Sequence, residues 1–370
     1  KKAEIGLVLF DNYRRNDFDS LKYLAVNLLL DASGKQSEFP KAVGQLALGT
    51  FYAQRGKLKE GLVNLIKAKE YFEMSGNLKL TSEVLMEIGN AYFISGNYKR
   101  AIKDYLKSMK IGERSTDPTL AYAAKMGLGQ AYCAIGDTSV GVFCLLQFKD
   151  EVLRINKHES AANAYATLGM IEMDRGNIEL SQEYYEKSIF HGLKTPSRKT
   201  VASAYTNKAI FYFNQNKMDS SLIYFEKALR LRERLNQNKD IIESYFNLAS
   251  YYQGNDDIDN ALYYYGLSVE MSEKLGFFTD EVDALKEIVT IFKARSNKKE
   301  VYRIQQRIDF LNQSISKSET IDDEILEYAE SILNKANKSK EQPKEKSNSY
   351  IWLLVGGIVT LLVFGLLRKP

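Results

Sequence analysis

The residues best suited to catalysis or metal binding are few and scattered in this chain of 370 residues. It has two histidines, His158 and His191, which lie far apart in the sequence. Its two cysteines, Cys133 and Cys144, lack the Cys-x-x-Cys spacing of metal or redox motifs. These residues are too sparse to assemble a catalytic triad. We therefore predict no catalytic residues, no metal site and no cofactor, and expect the chain to act through a surface.

The elements that build this surface are indicated by a repeated pattern of small and aromatic residues. In the stretch IGNAYFISGNYKRAIKDYLKS, Gly89, Tyr92, Gly96, Ala101 and Tyr105 have helical spacing, interrupted near Gly96. This spacing is typical of two amphipathic helices joined by a tight turn, with small residues where the helices cross.

The same pattern recurs at a fixed step of forty positions, without an insertion. The matching positions are Gly49, Tyr52, Gly56, Gly61, Leu65; Gly129, Tyr132, Gly136, Gly141, Leu145; Gly169, Gly176, Ser181, Tyr185; Ala209, Tyr212, Ser221, Phe225; Ala249, Tyr252, Ala261, Tyr265; and, more weakly, Val289, Phe292, Val301. A fixed period of this size predicts a solenoid of stacked helix pairs.

Composition supports this interpretation and disfavours nucleic-acid binding. The chain is 45% hydrophobic and 26% charged, with a net charge of +4. Residues 336–370 hold six basic and two acidic residues, which accounts for the whole excess and leaves 1–335 neutral. A neutral solenoid lacks the field that phosphate binding requires, so we expect no nucleic-acid partner.

The other strong signal is an uncharged stretch near the C-terminus. Residues 350–367, YIWLLVGGIVTLLVFGLL, carry no charge. As a helix, this stretch would span roughly 27 Å, close to the thickness of a hydrocarbon core. Tyr350 and Trp352 lie at one edge and Arg368 and Lys369 follow the other. The stretch predicts a transmembrane helix that attaches the chain to a lipid bilayer.

Two questions about the predicted span remain open. Gly356, Gly357 and Thr360 form a small-residue face that suits a homodimer, and a helix surrounded by lipid alone accounts for them as well. The lysines that precede the span favour a tail-anchored cytoplasmic protein, whereas a first residue other than Met suits removal of a signal peptide. We favour a single-pass membrane protein with periplasmic or otherwise extracytoplasmic repeats.

These signals divide the chain into five parts. The predicted parts are a degenerate N-terminal helix pair that caps the solenoid (1–40), seven repeats (41–315), a C-terminal capping helix (316–337), a polar lysine-rich linker (338–349) and the transmembrane helix (350–367).

The repeats resemble the tetratricopeptide repeat (TPR) family, with a step of forty in place of the usual thirty-four. The resemblance is carried by Leu48–Lys69, Ile88–Ser108 and Ala209–Leu229, which match the family's Leu-Gly, Tyr, Gly, Ala, Tyr/Phe, Ala pattern. It implies an all-α solenoid, a right-handed superhelix of helix pairs. It also implies a concave groove, lined by the first helix of each pair, that binds a protein or peptide ligand.

The resemblance also implies which side chains face this groove. They are Asn90, Phe93, Gln130, Cys133, Asn163, Met170, Met173, Asn207, Ile210, Phe213, Asn214, Asn247 and Gln253. The amides both donate and accept hydrogen bonds, which suits a peptide backbone, and the apolar members suit an extended peptide or an amphipathic helix. Packing between the first helices of adjacent repeats is the competing explanation for each of them.

A second resemblance concerns the layout of the whole chain. Long-step repeats, a charged linker and one apolar helix look like the sensor region of Bacteroidota membrane histidine kinases and LuxR-like regulators. This likeness implies a sensor or receptor module of a signalling protein. The alternative is a constitutive scaffold for an envelope complex.

Overall fold

The molecule is built from helices of nearly equal length. The computed structural model describes residues 2–16, 18–35, 38–115 and 119–316, and the regular elements within these ranges are all α-helices. Their bounds are α1 (Lys2–Asn16), α2 (Phe18–Lys35), α3 (Glu38–Gln54), α4 (Leu58–Met74), α5 (Leu78–Ile94), α6 (Tyr98–Arg114), α7 (Thr119–Ala134), α8 (Thr138–Arg154), α9 (His158–Asp174), α10 (Ile178–Leu193), α11 (Arg198–Asn214), α12 (Met218–Arg234), α13 (Asn238–Gly254), α14 (Ile258–Leu275), α15 (Phe278–Ala294) and α16 (298–316). The predicted all-α solenoid is confirmed.

Short joints separate these helices at regular intervals along the chain. Most joints contain one residue with positive φ, which ends a helix in the left-handed conformation. These residues are Gly56, Gly76, Gly96, Gly136, Asn156, Gly176, Asn216, Asn236, Asp256, Gly276 and Ser296. The joint between α10 and α11 differs. The amide and the hydroxyl of Thr195 both donate hydrogen bonds to the carbonyl of Gly192, and Pro196 follows. Each joint reverses the chain, so consecutive helices are antiparallel neighbours.

Within a pair, the two helices cross at the small residues of the sequence pattern. Gly89 lies against the ring of Tyr105, and Gly49 lies against Leu65 and the backbone of Gly61. The Ser181 hydroxyl donates a 2.7 Å hydrogen bond to the carbonyl of Gly169 on the facing helix. Such contacts require the two backbones to approach closely, which a larger side chain would prevent.

Aromatic residues join one pair to the next. The rings of Tyr185 on α10 and Phe211 on α11 lie 5.5 Å apart. One repeat later, Phe225 on α12 and Tyr251 on α13 repeat the contact at 6.2 Å. The core is therefore continuous from pair to pair, as expected when each repeat buries its apolar face against its neighbours.

The structure does not reach the predicted membrane segment. Among the described residues, no helix is both long enough and apolar enough to cross a bilayer. The predicted transmembrane helix (350–367) and linker (338–349) lie outside the described residues, as does the predicted capping helix (316–337) apart from its first residue.

Candidate functional site

A groove with a volume of about 1330 Å³ lies along odd-numbered helices between α1 and α11. We call it the central groove. Its lining comes from α1, α5, α7, α9 and α11, from the C-terminal end of α8, and from the joints that lead into α9 and α11. This volume exceeds the roughly 300–1000 Å³ typical of pockets for small molecules, so the groove suits a longer ligand.

Three amide side chains line the groove from three successive odd-numbered helices. They are Asn90 on α5, Gln130 on α7 and Asn163 on α9. Asn90 and Gln130 directly follow Gly89 and Gly129, the first small residue of the repeated pattern, so they occupy equivalent positions in successive repeats. Because each amide offers both donors and acceptors, a row of them can pair with the alternating N–H and C=O groups of an extended backbone.

The orientation of Asn90 is fixed by a buried tyrosine. The Tyr105 hydroxyl donates a 2.8 Å hydrogen bond to Asn90 Oδ1. Burial, with a smaller contribution from Glu87, raises the pKa of Tyr105, so its hydroxyl stays a donor. The oxygen of Asn90 is thereby held in place before any ligand arrives.

An ion-pair cluster holds α1 at one end of the groove. Arg14 on α1 donates a 2.7 Å hydrogen bond to Glu87 on α5 and lies 3.5 Å from Glu83. Burial alone would lower the pKa of Arg14, but Glu87 and Glu83 outweigh it and the pKa is raised. Burial also raises the pKa of Glu83. The cluster fixes Asp11 and Asn12, the neighbours of Arg14 in α1 that line this end.

The other end of the groove carries positive charge and two helix N-termini. α9 begins at His158 and α11 begins at Arg198, and residues at both starts line the groove. Three lysines contribute here: Lys157, Lys194 and Lys199. Two carboxylates offset them in part. Thr200 donates a 3.1 Å hydrogen bond to Glu159, and Lys199 lies 3.7 Å from Asp240.

Between these polar ends the groove has an apolar floor. Tyr122 and Met126 on α7 pack against Phe148 and Val152 on α8. All four side chains line the groove, as does Met86 on α5. Methionine side chains adapt to irregular surfaces, so this floor can accept apolar side chains of different shapes.

The remaining predicted site residues lie outside this lining, near the C-terminal ends of the odd-numbered helices or on α13. Met170 and Ile210 are exposed, and Asn214 Nδ2 lies 3.6 Å from the sulfur of Met173. Asn207 and Asn247 are half-buried.

The other four of these residues pack within the solenoid. Phe93 packs on Tyr98 and Phe213 packs on Tyr251. Cys133 lies against Gly141, and Gln253 accepts a 2.9 Å hydrogen bond from Tyr265. The contact of Phe213 joins the first helices of adjacent repeats, whereas the contacts of the other three side chains lie within one helix pair.

Sequence reasoning singled out Asn163 but not the equivalent positions of the neighbouring odd-numbered helices. The lining uses the sixth position before the pattern's small residue: Ala123, Asn163 and Ser203. The same step leads to Glu243 and Asp283, which are also exposed. The small or polar residue that recurs at this position from Ala123 onward was an available signal. The contributions of α1 and of the Lys194–Ser197 joint follow from tertiary packing alone.

The described residues include potential metal ligands and two cysteines. No group of three or more His, Cys, Asp or Glu side chains in this part of the chain is placed to hold a metal ion. Burial raises the pKa of both Cys133 and Cys144, which keeps them as thiols. The two cysteines thus lack the activated thiolate of a nucleophile.

Comparison with protein families identifies the repeats. A model described as "Tetratricopeptide repeat" matches residues 200–274, and a second of the same description matches 82–111 and 162–189. These three segments, about a third of the chain, match the tetratricopeptide repeat family. Tonsoku-like protein from Bos taurus is 22% identical over 139 residues of this chain. That match covers 36% of this chain and 10% of Tonsoku-like protein, so the chain spans about a tenth of that relative's length.

Solved structures show the same TPR architecture at low sequence identity. The apo form of the quorum sensor NprR from B. thuringiensis is 15% identical, with a TM-score of 0.58 over 84% of this chain and 86% of NprR. A signal transduction ATPase (STAND) protein with a tetratricopeptide repeat sensor from Pyrococcus horikoshii is 13% identical, with a TM-score of 0.55. The match covers 88% of this chain and 50% of the Pyrococcus horikoshii protein. A Rap protein complexed with competence and sporulation factor is 14% identical, with a TM-score of 0.51. The match covers 85% of this chain and 98% of the Rap protein.

Proposed function

We propose that this chain is a TPR interaction module that binds an extended peptide, or an extended segment of a partner protein, in the central groove. The observation that carries the proposal is that Asn90, Gln130 and Asn163, on three successive odd-numbered helices, line one groove. Hydrogen bonds from such amides would hold the ligand backbone, and the apolar floor around Tyr122 and Met126 would accept its side chains.

We further propose that binding serves a regulatory sensor. NprR is described as a quorum sensor, and the Pyrococcus horikoshii protein carries a tetratricopeptide repeat sensor. These likenesses support the same use of the fold here. From the sequence, we also propose that residues 350–367 attach the module to a membrane, with the repeats on the extracytoplasmic side.

Selection of peptides by the full-length protein in mild detergent tests the binding proposal. A random peptide library is selected on immobilised protein, and the affinity of a selected peptide is measured by fluorescence anisotropy. We expect Gln130→Ala and Asn163→Ala each to weaken binding about tenfold, the effect of losing roughly 1.4 kcal/mol of hydrogen bonding. Asn214→Ala is the matched control, because this exposed amide on α11 lies outside the groove lining.

The two sets of variants separate the central groove from other surfaces. Weakening by Asn214→Ala alone would move the site to the C-terminal ends of the odd-numbered helices. Selected peptides that bind all three variants as tightly as the wild type would contradict the proposal.

A further inference from the structure

The only two histidines of the chain meet beside the central groove, which His158 lines. His158 is the first residue of α9, and His191 lies in the last turn of α10. Their Nδ1 atoms are 3.1 Å apart, and the rings stack with centroids 5.2 Å apart and planes 28° apart. The pair therefore links the N-terminal end of one helix to the C-terminal end of its antiparallel partner.

His191 is enclosed on several sides. It is 9% exposed. Tyr165 stacks on its ring at 5.4 Å with planes 15° apart, and Phe190 meets it edge-on at 5.2 Å. A proton added to this ring would place a charge among aromatic side chains with little access to water, which is unfavourable.

The charged groups around His191 oppose the same protonation. Burial is the main cause that lowers the pKa of His191, and His158, Lys194 and Lys187 lower it further. From α8, a further cation, Lys149, lies 5.9 Å from the ring centre of Tyr165.

Charged groups of both signs stand beside His158. His158 is preceded by Lys157 and followed by Glu159, and the Glu159 carboxylate accepts a hydrogen bond from Thr200 of α11. In addition, His158 stands at the positive end of the α9 dipole.

The contact between the two rings depends on the number of protons. A 3.1 Å contact between ring nitrogens requires one Nδ1 to donate its proton and the other to accept it. This arrangement is available while at least one ring is neutral. Once both rings are protonated, both Nδ1 atoms are donors, no acceptor is left, and two positive charges face each other.

We propose that the His158–His191 pair is an acid-sensitive contact that holds α9 to α10 near neutral pH and breaks when both imidazoles are protonated. This contact adjoins the central groove, because His158 lines the groove and so does the Lys194–Ser197 segment that follows α10. Release of the contact alters the wall of the groove at its positively charged end.

The direction of the pH effect follows from the lowered pKa of His191. A histidine freed from the contact takes up its proton near the ordinary value of 6.5, whereas the enclosed ring takes it up only at lower pH. The form in which the two rings are separated therefore binds more protons once the pH falls below that value. By linkage, the His158–His191 contact contributes its full stability above about pH 6.5, and this contribution falls progressively at lower pH.

Nuclear magnetic resonance of the full-length protein, labelled with ¹³C in its histidine rings and kept in mild detergent, tests the proposal directly. With two histidines, each signal is assigned by comparison with His158→Gln and His191→Phe. We expect His191 to titrate below 6.5 in the wild type and to titrate at higher pH in His158→Gln, because the opposing charge has been removed. Two histidines that titrate independently, unaffected by replacement of the other, would overturn the proposal.

Unfolding supplies the second readout. The urea midpoint of the wild type, followed by far-UV circular dichroism, is expected to fall between pH 7.5 and pH 5.5. His191→Phe keeps the aromatic packing but has no titrating ring, so its midpoint should fall less over the same interval. Equal falls in both proteins would also overturn the proposal. Neither measurement uses a groove ligand, so failure here leaves the proposed function standing.

Discussion

At the scale of single residues, the smallest side chains are the most constrained. A Cβ atom added to Gly89 would approach Cε1 of Tyr105 far inside van der Waals contact. Tyr105 cannot move aside easily, because it is 2% exposed and its hydroxyl is bonded to Asn90. The glycine is required by the neighbouring ring, and this requirement extends to the orientation of Asn90 in the groove.

Gly89→Ala is accordingly expected to lower the free energy of unfolding by about 1–3 kcal/mol, the usual cost of overpacking a core. Urea denaturation of the full-length protein measures it. Gly266→Ala is the matched control, since an added Cβ there meets no atom within 4 Å and α14 continues through it. We expect this second change to raise stability by roughly 0.5–1 kcal/mol, from helix propensity. Equal effects of the two changes would contradict the crossing described here.

A buried lysine marks a departure from the pattern at one residue. Lys208 stands directly before Ala209, where the neighbouring repeats have Leu168 and Leu248. Its side chain is 0% exposed, and its ammonium lies 3.2 Å from the carboxylate of Glu186. Burial lowers the pKa of Lys208, which shows that the charged form is held at a cost.

Lys208→Met should therefore stabilise the protein by about 1–3 kcal/mol, because it removes the cost of burying a charge and puts an apolar side chain of similar length in its place. Glu186 is 58% exposed, so water can replace the lost partner. The urea midpoint measures the change. Lys103→Met, at an exposed position of α6, serves as the control and should leave the midpoint nearly unchanged. A destabilised Lys208→Met protein would mean that the ion pair itself holds α10 and α11 together.

At the scale of the helices, the backbone conformation of the joints is more uniform than the residue types that form them. Gly96 has φ of 75° and Ser296 has φ of 55°, so both end a helix in the left-handed region. Glycine adopts this conformation without strain, whereas the Cβ atom of serine makes it unfavourable. The joint at Ser296, between α15 and α16, is thus built from a less suitable residue.

Exchanging the two residue types tests this interpretation. Ser296→Gly should raise the free energy of unfolding by about 0.5–1 kcal/mol, and Gly96→Ser should lower it by about 1–2 kcal/mol. Thermal unfolding of both variants provides the comparison. Changes of the same sign in the two variants would show that the backbone conformation does not decide the stability of these joints.

The helices were largely predictable and the groove was not, for physical reasons. The regular recurrence of residues such as Gly89 and Tyr105 records local packing within one pair, and local packing leaves a strong pattern in the sequence. The groove arises where helices distant in the chain converge. Arg14 of α1 reaches Glu87 of α5 across 73 residues. His158 and His191 lie on the consecutive helices α9 and α10, but their residue type occurs nowhere else in the chain. Each of these contacts occurs once, so no periodicity signals it.

At the scale of the whole molecule, attachment to a membrane remains a prediction from residues 350–367. The full-length chain should float with lipid vesicles in a density gradient, and a chain that ends at residue 349 should remain at the bottom. The physical reason is the burial of an uncharged stretch long enough to cross the hydrocarbon core. A truncated chain that floats equally well would place the lipid contact elsewhere.

The even spacing of the joints has a consequence for the evolution of the molecule. Between 138 and 298 the helices begin at equal intervals, and consecutive helices run in opposite directions. The central groove is lined mainly by odd-numbered helices, with α8 contributing only its C-terminal end. Loss of a helix pair with its joints would shorten the protein by one complete unit and leave every later helix on its own side. Loss of a single helix would exchange the roles of all later helices and turn their apolar faces towards water. Length in this lineage can therefore change only in whole units, however freely the individual units diverge.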